Sequence, residues 1–245
     1  MKILFSQQAP AKMTAYEPLT ERFGAEITFR PFFLIEPLSS REFREQRINL
    51  ADYTAIVFSS RFAIDAYFKL CEELRVKVPE TMKYFCTTEV VAMYLQKHIV
   101  YRKRKIFFGN GTPDSLVAQI GSKHKGEKFL ITKSEGSNSD AITSLFEQHK
   151  LDFSVAVMVK SVPQDLSDLR LGDYDMIVFY NPNDVKSLYT NFPDFQQGDI
   201  RFVSFGKSIV RAMDEAGLEI TIQAPTPQAP SAAKAIEQYL ETLKK

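Results

Sequence analysis

Tryptophan is absent, and cysteine occurs only twice, as Cys71 and Cys86, in 245 residues. Two thiols provide no disulfide framework and read as reduced side chains of a cytosolic protein. An excess of either charge is lacking too: 31 Lys+Arg against 30 Asp+Glu leave a formal net charge of +1. That balance excludes a disordered polyelectrolyte and a supercharged nucleic-acid coat. The one dense basic run, Arg102-Lys103-Arg104-Lys105, reads as a solvated face leading into a strand, because nucleic-acid binding needs further patches or an aromatic platform. No apolar run is long enough to cross a bilayer, and the one at Ile3-Leu4-Phe5 is too short for a signal-peptide core. The expectation is a cytoplasmic protein with neither membrane nor nucleic acid as partner. Glycine is sparse, at 10 residues. Gly109-Asn110-Gly111 lacks the spacing and the Lys-Ser/Thr of a phosphate loop and reads as a tight turn. The three histidines, His98, His124 and His149, each fall near the end of a predicted helix, without HxxxH or CxxC spacing. Helix-end roles are expected for them, and no metal site.

What is present is ordinary for a folded domain, with 44% apolar and 25% charged residues. Short apolar runs alternate with helical patterns. Ile3–Phe5, Ala55–Phe58, Tyr84–Cys86, Ile106–Phe108, Phe129–Ile131, Val155–Val159, Met176–Phe179, Phe202–Phe205 and Leu218–Ile222 read as buried strands. Ile27–Ile35, interrupted by Pro31, reads as an edge strand, and Ser39–Asn49 as a connector or exposed helix. Several strands run into a hydroxyl and then a helix, as at Ser59-Ser60, Thr87-Thr88, Thr112-Pro113 and Ser139-Asp140, the signature of an N-cap. Strand alternating with helix predicts an α/β fold with parallel sheets flanked by helices.

The chain also repeats itself. Asp52–Phe58 pairs with Asp173–Phe179 at an offset of 173 − 52 = 121, and Val90–Met93 with Val210–Met213 at 210 − 90 = 120. Thr112-Pro113 pairs with Thr226-Pro227, and Lys2-Ile3-Leu4 with Lys128-Phe129-Leu130. Matches in one consistent order predict two similar lobes, with a ligand cleft between them. Repetition alone allows either neighbouring or interleaved quarters to form a lobe.

Parallel sheets place ligands beyond the carboxyl ends of their strands. The residues there are Ser59, Ser60, Thr87, Thr88, Asn110, Gly111, Lys133, Ser134, Asn181, Lys207 and Ser208. They are small or polar and sit at helix N-termini, which suit carboxylates and phosphates. Cys86 also follows a strand, but no base adjoins it, so it reads as a small buried residue, and Cys71 as helix packing.

Ala55-Ile56-Val57-Phe58-Ser59-Ser60 with Ala63, then Ile177-Val178-Phe179-Tyr180-Asn181-Pro182, Phe205-Gly206-Lys207-Ser208, Gly217-Leu218 and Ala224-Pro225-Thr226-Pro227 resemble, in order, motifs of the uroporphyrinogen-III synthase family. The resemblance implies two flavodoxin-like lobes that interleave, joined by a two-stranded crossover linker. Lobe 1 is 1–36 plus 164–245, and lobe 2 is the inserted 37–163. It implies cyclisation of hydroxymethylbilane, a linear tetrapyrrole, with loss of water and inversion of the terminal ring. Neither cofactor nor metal is implied. The small-molecule substrate is the expected partner of a monomer. Substrate binding falls to Ser59, Ser60, Thr87, Thr88, Asn181, Lys207 and Ser208, and no catalytic residue is assigned. Departures are Val159 where the family often has Tyr, Asn181 for Ser, Lys207 and Ile209 for Pro and Thr, Cys86 for Gly, and Glu89 for Thr. These motivate a second reading, a non-catalytic binder of a tetrapyrrole or other polyanion on the same fold. A two-lobed solute-binding protein is a weaker third, disfavoured without a signal peptide.

Overall fold

The computed structural model describes residues 1–243. Its strands are β1 (Lys2–Phe5), β2 (Glu26–Phe29), β3 (Phe33–Pro37), β4 (Ala55–Phe58), β5 (Lys83–Cys86), β6 (Ile106–Phe108), β7 (Lys128–Ser134), β8 (Asp152–Pro163), β9 (Met176–Phe179), β10 (Arg201–Phe205) and β11 (Ile220–Ala224). The helices are α1 (Glu17–Phe23), α2 (Ser40–Glu45), α3 (Arg61–Glu73), α4 (Glu89–Tyr94), α5 (Pro113–Ile120), α6 (Asp140–Gln148), α7 (Pro182–Asn191), α8 (Lys207–Glu215) and α9 (Ala232–Leu243). Among the described residues, no helix is long and apolar enough to cross a membrane.

The chain divides into two compact units. Unit 1 combines Met1–Leu34 with the residues from Val162 onward, and unit 2 is Ile35–Ser161. The five-stranded sheet has the order β11-β10-β9-β1-β2, and the six-stranded sheet β3-β8-β7-β4-β5-β6. Pairing is parallel throughout the first sheet and from β8 to β6 in the second. Matching β9 to β4, β10 to β5, β11 to β6, β1 to β7 and β2 to β8 makes the two orders identical, with β3 as an added edge. The 121-residue offset carries β4 onto β9 residue for residue, since 55 + 121 = 176 and 58 + 121 = 179.

The central strands β4 and β9 are continuous, fully buried apolar runs because both faces of each sheet are covered there. Alternate residues enter opposite cores. In unit 2, Ile56 and Phe58 join Tyr67 and Tyr84 on one face, while Ala55 and Val57 join Phe85, Phe129 and Phe146 on the other. In unit 1, Ile3, Phe5 and Val178 pack with α9, while Leu4, Ile177 and Phe179 pack with Leu188 and Met213. Each fully buried Ile, Leu, Val or Phe among them contributes about 1.5–3 kcal/mol, so the strand centres fix the two sheets. Arg22 of α1 ion-pairs with Glu237 and Glu241 of α9, tying down the last helix.

Several expectations shift on detail. Ile27–Ile35 is not one edge strand: Pro31 splits it into β2 and β3, which are edges of different sheets. Pro lacks the N–H a continuous ladder would need. Ser39–Asn49 holds α2, which is not simply exposed: a capping box at Ser39 starts it, and Phe43 is fully buried. Ser139 does not cap α6 with its side chain. Instead Asn138 Oδ1 accepts from Asp140 N at 2.6 Å. The last strand starts at Ile220 rather than Leu218, because Gly217 takes a left-handed turn (φ +68°) and Leu218 N donates back to Met213 O. That is a helix C-terminal closure.

Candidate functional site

After β4, β5, β9 and β10 the next helix begins almost where the strand ends, so backbone amides gather at the carboxyl edge of each sheet. In unit 2, β4 runs into Ser59-Ser60, and the Ser60 hydroxyl caps α3 by accepting from Ala63 N at 3.1 Å. β5 runs into Thr87-Thr88, where Thr88 caps α4 by accepting from Val91 N. Each hydroxyl retains its own proton to donate outward. Neighbouring turns are laced together: Thr87 N donates to Phe58 O (3.0 Å), and Gly111 N donates to Thr87 O (2.8 Å). Gly111 adopts φ +101°, which a side chain would resist.

These turns enclose a cavity of about 280 Å³ lined by Ser59, Thr87, Gly111, Lys133, Ser134 and Ser139, among others. It lies at the carboxyl ends of β4 and β7, the point where the strand order of unit 2 changes direction, which is where open α/β sheets bind ligands. Lys133 is half-buried there, and its Nζ donates to Ser137 O at 3.3 Å. Ser59 and Thr87 of the sequence-derived set line this cavity, whereas Ser60 and Thr88 flank it as caps. Lys133 supplies its cation. The sequence places it just beyond Phe129–Ile131, whereas β7 runs on to Ser134 and carries it within the strand, and it stands outside the binding set that the sequence suggests.

In unit 1 the corresponding edge differs. Asn181 caps α7 in a reciprocal box with Asp184. Gly206 precedes α8 at φ +107° with no side-chain cap, and Lys207 and Ser208 stand exposed on the first turn. Uncapped N-terminal amides beside a lysine favour an anion. Asp184 is buried at 1% exposure. Its Oδ2 accepts from Ser6 Oγ (2.8 Å), Tyr180 N (2.8 Å) and Asn181 N (2.9 Å). Among the described residues, Asp184 Oδ1 and Ser187 Oγ have no hydrogen-bond partner. Burial pushes the Asp184 carboxyl up to about 6, against the pull of its three donors. Tyr180 packs on Phe205 with ring centroids 5.5 Å apart. Burial, with Tyr16 next, raises its phenol far above the usual range, so it stays protonated. Sequence reasoning passed over Asp184. Its one signal is Asn181-Pro182-Asn183-Asp184 ahead of Val185, a capping pattern.

Other residues fall outside this geometry. Val159 is 1% exposed in the unit 2 core, beside Met158 and Ala156, so its side chain packs rather than lines a site. A register shift opposite Lys133/Ser134 brings both Met158 and Val159 inward. Cys86 and Cys71 are buried, and burial pushes their thiols up to about 12 and 11, which removes the thiolate a nucleophile requires. His98 Nε2 donates to Asp65 Oδ1 at 2.7 Å and stacks on Phe68, both residues of α3.

A family model described as uroporphyrinogen-III synthase HemD matches residues 14–234. No curated protein matches. Among solved structures, the fold is similar to uroporphyrinogen-III synthetase from Helicobacter pylori, with 15% identity, 98% of this chain and 99% of that chain covered, and a TM-score of 0.58. It is also similar to a mutant uroporphyrinogen III synthase from the extremely thermophilic bacterium Thermus thermophilus, with 14% identity, 100% and 99% coverage, and a TM-score of 0.55. At these identities the likeness is one of fold.

Proposed function

The chain belongs to the uroporphyrinogen-III synthase HemD family, and from that premise we propose that it cyclises hydroxymethylbilane to uroporphyrinogen III in tetrapyrrole biosynthesis. The observation that carries the reading is the family match over 14–234. In the reaction the terminal hydroxyl takes up a proton and leaves as water. The carbocation so formed attacks the substituted carbon of the last ring, and the spiro intermediate reopens and closes with that ring inverted. A pyrrole carbon returns the proton. The reacting electrons are the substrate's own, so the protein's task is to fold a flexible chain and hold its ends together.

Each pyrrole carries an acetate and a propionate. We assign their recognition to Ser59, Ser60, Thr87 and Thr88 of unit 2 and to Asn181, Lys207 and Ser208 of unit 1, with Lys133 added. Outward hydroxyl protons and helix amides are matched to carboxylates, and two lysines add charge-assisted bonds. A net charge of +1 leaves the grip to these local donors. The cavity in unit 2, about 280 Å³, suits one ring with its two acid arms rather than the whole substrate. A cytoplasmic monomer acting on a small molecule completes the reading. The test is incubation of purified protein with freshly generated hydroxymethylbilane, followed by chromatographic separation of the isomers. Type III is expected, and type I alone, the product of unassisted closure, would overturn the reading.

A further inference from the structure

Asp184 stands three residues after the N-cap of α7, and Ala63 stands three residues after the N-cap of α3. Both are 1% exposed. The duplicated fold thus gives two positions one steric task, and fills one with a methyl group and the other with a carboxyl. A buried carboxylate is costly to desolvate where a methyl is not. An ordinary capping box accounts for only one of its bonds, from Asn181 N. The others come from Tyr180 N and from Ser6 Oγ, which lies just beyond β1 and 178 residues away in sequence. All three converge on Oδ2. The carboxyl therefore clasps the ends of β1 and β9, the strands at which the order of unit 1 changes direction.

We propose that Asp184 is a positioning residue: its carboxylate holds Tyr180 and Asn181 against Ser6, and so aims the donors with which this edge of unit 1 receives a substrate carboxylate. The inference rests on the functional reading above. The ionised form is the stronger acceptor for three donors, so the clasp is tight above about pH 6 and slackens below it. The titratable group that feels Asp184 is the Tyr180 phenol, itself coupled to Tyr16. The charged residues of neighbouring α8, Lys207, Arg211, Asp214 and Glu215, and Lys186 on α7 are all exposed, and Arg211 pairs with Glu215. Stability runs the other way. Because the folded carboxyl is raised, ionisation of the buried group destabilises the fold as pH climbs from the ordinary carboxylate range to about 6, and the loss is complete above it.

Asp184→Asn keeps the shape and cannot ionise. At pH 7.5 its KM for hydroxymethylbilane should rise about tenfold with kcat changed less, the size expected for weakened charge-assisted bonds. The wild-type fall in kcat/KM below about pH 6 should vanish from the variant. Its melting temperature should exceed wild type at pH 7.5 and converge toward it near pH 5, an opposite movement that a merely structural cap does not give. Ser6→Ala, which removes one donor and is sterically mild, should shift KM in the same direction. Wild-type KM and an unchanged acid limb in Asp184→Asn overturn the proposal. Should wild type not turn over, the functional reading fails separately, and affinity for uroporphyrin III, read by fluorescence, decides. Weaker binding by Asp184→Asn sustains the positioning role; equal binding, or none by wild type, overturns it.

Discussion

The carboxyl edges of the two sheets share a strand order but not a chemistry. In unit 2 the turning point between β4 and β7 is an open, hydroxyl-lined hollow with Lys133 in its wall. In unit 1 the turning point between β9 and β1 is closed by a buried carboxyl bonded to the residues just beyond both strands, Ser6 and Tyr180. The frame is repeated, and the two copies differ in what fills the turning point. One leaves an open hollow lined by hydroxyls and Lys133, while the other presents Asn181 and the exposed first turn of α8. The lesson is that topology sets where the two edges correspond, and single residues at the helix N-termini set how each edge is filled.

The largest expected effect comes from forcing one copy to imitate the other. Ala63→Asp places a carboxyl at the position equivalent to Asp184, but Ser60 Oγ is already engaged by the Ala63 amide. Without a prepared set of donors the buried acid should cost about 3–5 kcal/mol, seen as a large fall in denaturation midpoint at pH 7.5 that acid partly restores. If the variant is as stable as wild type, the two turning points are not chemically distinct. Next, Lys133→Met removes the cation of the unit 2 hollow while keeping its bulk. KM should rise about tenfold or more, the melt should hold, and the effect should shrink in high salt. Unaltered kinetics would move the anion site elsewhere. The smallest change is Ser60→Ala, which removes the cap of α3 and should cost about 1 kcal/mol of stability. A larger loss in kcat/KM than in stability would sharpen the view that this hydroxyl also meets the substrate.

Much of this was legible in the sequence. Ala55–Phe58 and Met176–Phe179 are strands residue for residue, because four consecutive apolar residues ahead of a capping residue admit few other structures. The repeat anticipated two lobes, and the shared strand order of the sheets is its physical expression. Ser60 and Thr88 were legible for the right reason, as caps. Asp184 was not, because a polar residue in a first helical turn normally faces water, and only the long-range bond to Ser6 reveals otherwise. Lys133 was visible but undistinguished, since nothing local says that β7 and β4 are neighbours. The break at Pro31 marks an end to pairing, but not that the chain resumes in the other sheet.

The pairing of β1 with β9 has a consequence for biosynthesis. Unit 2 is one continuous stretch, Ile35–Ser161, and holds its own sheet partners for β4, β5, β6 and β7. It can therefore condense on the ribosome while β9 is still untranslated. β1 and β2 emerge first yet must wait for β9 to complete their sheet, and an unpaired apolar strand is open to misassembly in that interval. Leu34 and Val162 lie in β3 and β8, adjacent strands of the six-stranded sheet, so once that sheet has formed the closure that brings β9 to β1 is short rather than long. The insertion thus acts as a scaffold in time: the part made in the middle readies the part begun at the start.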